Sequence, residues 1–219
     1  MQDSSFTPAL GRPGLTGSYD LAIRLLTRES AWRGELLRQV DPHDGETILD
    51  VGCGTGTFAM MLKQAAPDAH VIGLDPDAHV LRLAASKAGE RGLAIEWRQG
   101  FARNAVDLGG TADKAVSSLV FHQVPSAGKR VGIEAMFASV RDGGEIHITD
   151  YARQRGMMRA LFRLTVQMLD GMADTQPNAD GALECIFEEM QKAPVKPSRL
   201  IHTPTGTISL FRLVKSAAA

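Results

Sequence analysis

Cysteine is scarce: the 219-residue chain has two, Cys53 and Cys185. Two thiols so far apart make no disulfide framework, and the reading is a reducing compartment, the cytoplasm. Net charge is equally slight. Lys and Arg number 24 against 25 Asp and Glu, a formal charge of -1. No long-range field therefore draws the chain onto DNA or RNA, and nucleic acid is not expected as a partner, a local patch aside. No apolar run approaches the ~20 residues that span a bilayer. The N-terminus, MQDSSFTPALGRPGLTG, has neither the basic start nor the apolar stretch of a signal peptide. Neither His-x-Glu nor paired cysteines occur, so no metal site is indicated. Internal repeats and low-complexity tracts are also missing. What is left is a globular balance, 44% hydrophobic and 22% charged, in a chain long enough to bury one core.

What is present alternates. Gly11, Pro13, Gly14 and Gly17 make the first 17 residues loop-like. Helices are predicted over about Tyr19–Leu26 and Ala31–Val40, before the turn signals Asp41-Pro42 and Asp44-Gly45. A buried strand over Thr47–Val51 precedes a helix over Thr57–Ala66, stopped by Pro67. Further strands are expected over His70–Leu74, Ala94–Arg98, Lys114–Val120 and Glu145–Thr149. Helices are expected over Asp77–Glu90 and from an Ser126 N-cap to Val140, broken at Gly143-Gly144. Strands alternating with helices imply βαβ units and a parallel sheet. Ser198–His202 and Thr205–Val214 flank a turn and predict a hairpin at the sheet edge, and the Ala217–Ala219 end should fray.

The most informative stretch is ILDVGCGTGTFA, residues 48–59. Ligands of open parallel sheets bind beyond the strands' carboxyl ends, where strand order reverses. Gly52, Gly54 and Gly56 let a ligand lie against the main chain, and the amides opening the next helix can face a negative group. A dinucleotide asks for G-x-G-x-x-G, but the spacing here is G-x-G-x-G, with Thr57 three residues after Gly54. S-adenosylmethionine is the alternative, with a carboxylate as its anion. Asp50 favours it, because a carboxylate repels a pyrophosphate but attracts a sulfonium and an ammonium. Asp75, 19 residues after Gly56, can accept hydrogen bonds from both ribose hydroxyls in either class.

Residues 46–123 resemble a class I S-adenosylmethionine-dependent methyltransferase, and the nearest flavour is the ubiquinone/menaquinone-biosynthesis-like small-molecule branch. ILDVGCGTGTFA matches the first motif, with Cys53 inside it. VIGLDPD (71–77) matches the second, which makes Asp75 the ribose-binding acid and sets Pro76 next to the adenine. RQGFA (98–102) is placed like the third, and DKAVSSLVFHQV (113–124) matches the fourth strand and its exit. One position departs: an acidic residue usually follows the third motif's glycine, and here it is Phe101. Either Phe101 packs on the adenine, Ala102 supplies a main-chain contact, or Phe101 is core. The resemblance implies a Rossmann-like α/β fold: a seven-stranded, mostly parallel sheet, helices on both faces and a C-terminal antiparallel hairpin. It implies one methyltransferase domain: an N-terminal helical cap (1–45), a cofactor-binding core (46–150), a substrate-side helical insertion (151–195) and the hairpin (196–219). Tyr19 resembles the tyrosine that closes over the methionine end in many relatives, or is a helix-packing aromatic.

Methyl transfer from a sulfonium mainly requires alignment of a nucleophile and exclusion of water. Ser117, Ser118 and Leu119 leave the fourth strand where the sulfonium is expected. No Asn/Asp-Pro-Pro-Tyr stands there, which argues against an adenine or amide nitrogen as acceptor. His122 is the candidate base, since an unperturbed imidazole titrates near neutrality; otherwise it packs or caps. Asp150 and Tyr151 follow the fifth strand as substrate-site candidates or ordinary turn residues. From Tyr151 to Leu169 the chain is strongly apolar and rich in methionine, with Arg155, Arg159 and Arg163 at i, i+4 spacing. An adaptable apolar pocket, a lid or homodimer face, and peripheral contact with a membrane surface all remain open. The expectation is methylation of a small, partly apolar molecule, on oxygen or carbon slightly ahead of nitrogen, with S-adenosylhomocysteine as product. The rivals are a non-catalytic S-adenosylmethionine-binding protein and an NAD-dependent oxidoreductase.

Overall fold

The computed structural model describes residues 28–216. The helix expected over Tyr19–Leu26, the loop before it, the candidate residue Tyr19 and the Ala217–Ala219 end lie outside the described residues. Strand β1 (Thr47–Val51) is a short apolar run between the Asp44-Gly45 turn and the glycine loop, and it is buried from Ile48 onward. That is the pattern of a parallel strand covered on both faces. It pairs in parallel with β2 (His70–Asp75), with Asp50 opposite Gly73 and Val51 opposite Leu74. On its other side it pairs in parallel with β4 (Ala112–Ser118), Val51 opposite Ser117. β3 (Glu96–Gln99) pairs in parallel with β2. With β5 (Val140–Tyr151), β6 (Arg199–Thr203) and β7 (Gly206–Val214), the sheet order is β3-β2-β1-β4-β5-β7-β6, the last two antiparallel. Strand order reverses between β1 and β4, so the carboxyl end of β1 is the switch point where such sheets take ligands.

Helix α1 (Glu29–Val40) buries Trp32, Leu36 and Val40, one stripe at i, i+4 and i+8. α2 (Thr57–Ala65) buries Phe58, Ala59, Met60 and Leu62. α3 (Ala78–Glu90) starts where the Asp77 side chain accepts the His79 amide at 2.7 Å, and it buries Val80, Leu81, Ala84 and Ala88. After β5 come α5 (Gly156–Leu164), α6 (Val166–Asp170), α7 (Met172–Asp180) and α8 (Ala182–Gln191). Among the described residues no helix is long and apolar enough to cross a membrane.

Three of the boundaries that differ from the sequence expectation have a visible cause. β4 stops at Ser118 rather than Val120, because Leu119 turns to a left-handed φ of 54°. Helix α4 (Ser126–Ser139) takes Pro125 as its cap: the Gly128 and Lys129 amides donate to the Pro125 carbonyl at 2.8 and 3.0 Å, and Ser126 is already helical. β5 begins at Val140, and Gly143-Gly144 lies inside it. Gly143 adopts φ 74°, the Gly143 amide donates to the Lys215 carbonyl, and the Lys215 amide donates back to Gly144. A side chain at Gly144 would meet Asp113 and Arg141 main chain at 3.0 and 2.8 Å, so the pair serves the strand instead of ending it.

The described chain forms two compact units. One comprises residues 36–118, 130–148 and 212–216, and it holds the glycine loop. The other comprises 28–35, 119–129 and 149–211, and it holds the β4 exit, the tip of β5 and helices α5–α8.

Candidate active site

In the first unit the loop after β1 carries Gly52, Gly54 and Gly56 at φ 71°, 54° and 75°, a left-handed series that side chains resist. The Gly52 and Cys53 amides both donate to the Leu74 carbonyl, at 2.8 and 3.1 Å, so the loop folds onto the tip of β2. The glycines do not share one purpose. A Cβ built on Gly54 meets nothing within 4 Å, whereas one on Gly56 meets the Trp97 ring at 2.6 Å and Ala84 at 2.9 Å. Gly54 is the bare main chain open to a ligand. Gly56 is bare for packing, as is Gly73, against the same Trp97 ring at 2.5 Å.

Asp75 closes the cradle. Its Oδ2 accepts the Gly54 amide and its Oδ1 the Asp77 amide, both at 2.9 Å. The Gly100 amide donates to the Asp75 main-chain carbonyl at 3.0 Å. Burial pushes the Asp75 carboxyl above the usual range, and the Asp77 and Gly54 amides pull it back. Asp50, 1% exposed, lies on β1 opposite Gly73. The Cys53 thiol is pushed far up by burial first, then by the Asp50 and Asp75 carboxylates, so it is no nucleophile. The two strand tips lie side by side, since β1 and β2 pair with Val51 opposite Leu74.

The flanks are also defined. The Pro76 carbonyl accepts Gln99 Nε2 at 3.1 Å. The Phe101 amide donates to Asn104 Oδ1 at 3.0 Å, and the Arg103 guanidinium lies 4.4 Å over the Phe101 ring. Ala102 opens a 3₁₀ helix, Ala102–Leu108. Ser118 ends β4, with Ser117 buried before it. These residues fit a cationic nucleoside. Each Asp75 oxygen holds one amide, and a carboxylate has about four acceptor positions, so one per oxygen remains for a hydroxyl. Gly54 leaves room beside it, Asp50 adds a second negative charge, and no side chain caps the start of α2 at Gly56.

The second unit gathers His122, Asp150 and Tyr151 into a different object. Asp150 Oδ2 accepts the amides of Val120, Phe121 and His122 at 3.1, 2.7 and 3.3 Å, capping the 3₁₀ turn Phe121–Gln123. Its Oδ1 takes the Tyr151 amide and His122 Nδ1, both at 2.7 Å. His122 Nε2 lies 3.5 Å from Asp170 Oδ2 at the end of α6. Burial alone would lower the His122 pKa, but Asp150 and then Asp170 outweigh it and push it up to about 9. The ring is 3% exposed. It is an imidazolium held between two carboxylates, not the free near-neutral histidine that the sequence suggests. Tyr151 is buried too: its hydroxyl shares a 2.5 Å hydrogen bond with Thr205, and its ring meets His122 edge-on at 5.3 Å. Burial pushes the phenol up to about 12. Leu119 adds strain, since a left-handed leucine costs ~1–2 kcal/mol.

Sequence reasoning missed Lys129, Asp170 and Trp97. Lys129 is fully buried, and its ammonium donates to the carbonyls of Phe121 and Asp174 at 2.5 and 2.8 Å. Burial lowers its pKa to about 8, against the pull of Asp150 and Asp174. Nothing in SAGKRVGI marks it. Trp97 did leave a signal: a glycine inside the buried strand VIGLD means something large lies against it.

Residues 48–144 match a family described as a methyltransferase domain. The chain is 30% identical over 152 residues to demethylmenaquinone methyltransferase of Deinococcus radiodurans, covering 68% of this chain and 62% of that protein. It is 33% identical over 95 residues to ubiquinone biosynthesis O-methyltransferase of Azorhizobium caulinodans, 43% of this chain and 37% of the other. The chain thus spans less than two thirds of these two relatives. Magnesium protoporphyrin IX methyltransferase of Synechocystis PCC 6803, solved with bound S-adenosylhomocysteine, shares the fold: TM-score 0.64 at 16% identity, over 94% of this chain and 90% of that one. Residues 48–144 thus form a domain of the S-adenosylmethionine-dependent methyltransferase kind, and the chain is similar to methyltransferases of quinone biosynthesis.

Proposed function

We propose that this protein methylates a small, partly apolar acceptor, on oxygen or carbon ahead of nitrogen. The observation that carries the reading is Asp75, fixed at the tip of β2 by two amides with acceptor positions to spare, beside a loop that Gly54 leaves open. In this reading Asp75 holds the ribose hydroxyls, and Asp50 faces the cationic end. The first amides of α2, after Gly56, take the methionine carboxylate. Pro76, Phe101 and Ala102 border the adenine, while Gly52, Cys53 and Ser118 complete the wall. When bound, S-adenosylmethionine supplies a methyl group already activated on a sulfonium. The protein's share is to orient the acceptor and exclude water, which can lower a barrier by ~7–11 kcal/mol. The names of the relatives, a demethylmenaquinone methyltransferase and a ubiquinone-biosynthesis O-methyltransferase, support an acceptor with an oxygenated ring.

His122 enters as a positioning residue. Its two nitrogens face Asp150 and Asp170, and with a pKa of about 9 the ring carries its proton at neutral pH. It, Asp150 and Tyr151 fix the turn that follows Leu119, and a base role would begin only as pH nears 9.

Calorimetric titration tests the cofactor assignment. Wild type should give heat with S-adenosylmethionine and none with NAD. Asp75→Ala should lose ~1.5–3 kcal/mol of binding, the value of hydrogen bonds to a charged group. Unchanged affinity in that variant overturns the ribose assignment. Release of S-adenosylhomocysteine over a panel of demethylated quinols and phenols then separates an enzyme from a protein that only binds the cofactor.

A further inference from the structure

Part of the helical segment after β5 is built inside out. Gln154, Gln167, Thr175 and Asn178 are buried, while Met157, Leu164, Met168, Leu169 and Met172 stand between 48% and 74% exposed. Folded chains normally do the opposite. Each of these buried side chains makes at least one hydrogen bond, and among their fully buried oxygens only Asn178 Oδ1 is left without one. Gln154 donates to the Ala152 and Thr207 carbonyls and accepts the Thr207 amide. Gln167 donates to Gln176 at 2.9 Å, Thr175 to the Gly171 carbonyl, and Asn178 to the Tyr151 carbonyl at 2.8 Å. Rolling these helices to hide the methionines would strand those groups in an apolar interior, so the apolar face is locked outward.

Charge says what the face suits. Between Tyr151 and Met172 stand Arg153, Arg155, Arg159 and Arg163 against one acid, Asp170, in a chain whose formal charge is -1. Asp170 is occupied with His122 and Gln123. Arg159 pairs with Asp180 at 2.6 Å, and Arg155 and Arg163 are exposed. On α5, Met157 and Leu164 are seven residues apart and share one stripe, and Arg163 lies about 100° round the helix from it.

We propose that α5, α6 and Met172 form a docking surface for an anionic lipid bilayer. The exposed Met and Leu side chains enter the headgroup–acyl boundary, and Arg155 and Arg163 meet lipid phosphates. Apolar contact plus cationic attraction is how interfacial helices bind. A second copy of the chain fits less well. A two-fold interface places the same patch against itself, arginine against arginine, with no exposed acid between Tyr151 and Gly171 to answer them. The surface stands whether or not the acceptor assignment does.

Vesicle sedimentation with the full chain tests it. Wild type should pellet with phosphatidylglycerol vesicles, less with phosphatidylcholine, and less again as salt rises. Leu164→Glu combined with Met168→Glu should cut the bound fraction more than tenfold. Arg155→Gln and Arg163→Gln should each cost about fivefold. Val131→Glu removes an exposed apolar side chain from α4 and should change nothing. Three results overturn the proposal: no vesicle binding at low salt, variants that bind like wild type, or a dimer that Met168→Glu dissolves while vesicles never bind. S-adenosylmethionine titrated into the same samples keeps the two readings apart. Intact cofactor binding without vesicle binding removes the docking surface alone.

Discussion

Asp75 and Asp150 are the same residue type in the same kind of place, the carboxyl end of a strand in one sheet, and they differ in what is left over. Asp75 receives one amide per oxygen and keeps acceptor capacity. Asp150 receives four amides and an imidazole, which exhausts it. The first is a group waiting for a partner. The second is a finished joint, tying the β4 exit to the tip of β5. A carboxylate at a strand tip is therefore a candidate site only after its hydrogen bonds have been counted.

Replacing Asp150 should give the largest effect. Asp150→Ala strands a buried imidazolium and four amides, and removal of one partner of a buried ion pair costs ~3–5 kcal/mol. Urea unfolding should show that loss, while Asp75→Ala should change ligand affinity far more than stability. If Asp150→Ala unfolds at the wild-type urea concentration, the two carboxylates are not the contrast drawn here.

How much of this was legible follows the same line. The conformation of the glycine loop could be read because glycine spacing reports backbone conformation directly: Gly52, Gly54 and Gly56 all take a positive φ, and Asp75 ends β2 as its position after an apolar run suggests. Thr47–Val51 was recognisable for the same reason, as an apolar run between two turn signals. The joint around Asp150 could not be read. It joins residues 28, 30 and 48 positions apart, and no local pattern says that His122 will lie between Asp150 and Asp170. Lys129 was invisible because a lysine inside a helix is ordinarily a solvated one, and only the packing makes it a buried donor. Gly143-Gly144 misled because glycine pairs usually end elements, whereas here close backbone approach requires Gly144 and a left-handed φ of 74° favours Gly143.

The pH dependence of stability should sharpen the comparison next. The His122 pKa is raised in the folded protein, so its stabilising share is complete below about 6.5, the unfolded value. It fades as pH climbs to about 9, amounting to roughly 3 kcal/mol in all. Lys129 works the other way. Its folded pKa is lowered to about 8, so between there and its unfolded value near 10.5 the unfolded chain binds more protons and stability rises with pH. Urea midpoints should fall from pH 6.5 to 8 and then level off between 8 and 9, where the two oppose. His122→Gln should abolish the fall, and Lys129→Met should extend it without the plateau. A wild-type profile flat from pH 6.5 to 8 would remove the imidazolium, and with it the claim that Asp150 is a finished joint.

The smallest expected effect lies within the cradle, between two glycines that read alike in sequence. Gly54→Ala meets no neighbour, so its cost is the left-handed backbone alone, ~1–2 kcal/mol. Gly56→Ala bears a similar backbone cost and also drives a methyl into Trp97 and Ala84, and overpacking adds ~1–3 kcal/mol. Urea unfolding should therefore rank Gly56→Ala below Gly54→Ala, while calorimetry with S-adenosylmethionine should rank them the other way per unit of stability lost. The methyl at position 54 intrudes on the ligand's side and the one at 56 on the protein's. Trp97→Leu removes the ring that position 56 would strike, so Gly56→Ala should cost less in that background, and Gly54→Ala should cost the same. Equal costs for Gly56→Ala in both backgrounds would mean that Gly56 is glycine for its φ alone, and the division of labour in the loop would collapse to backbone conformation.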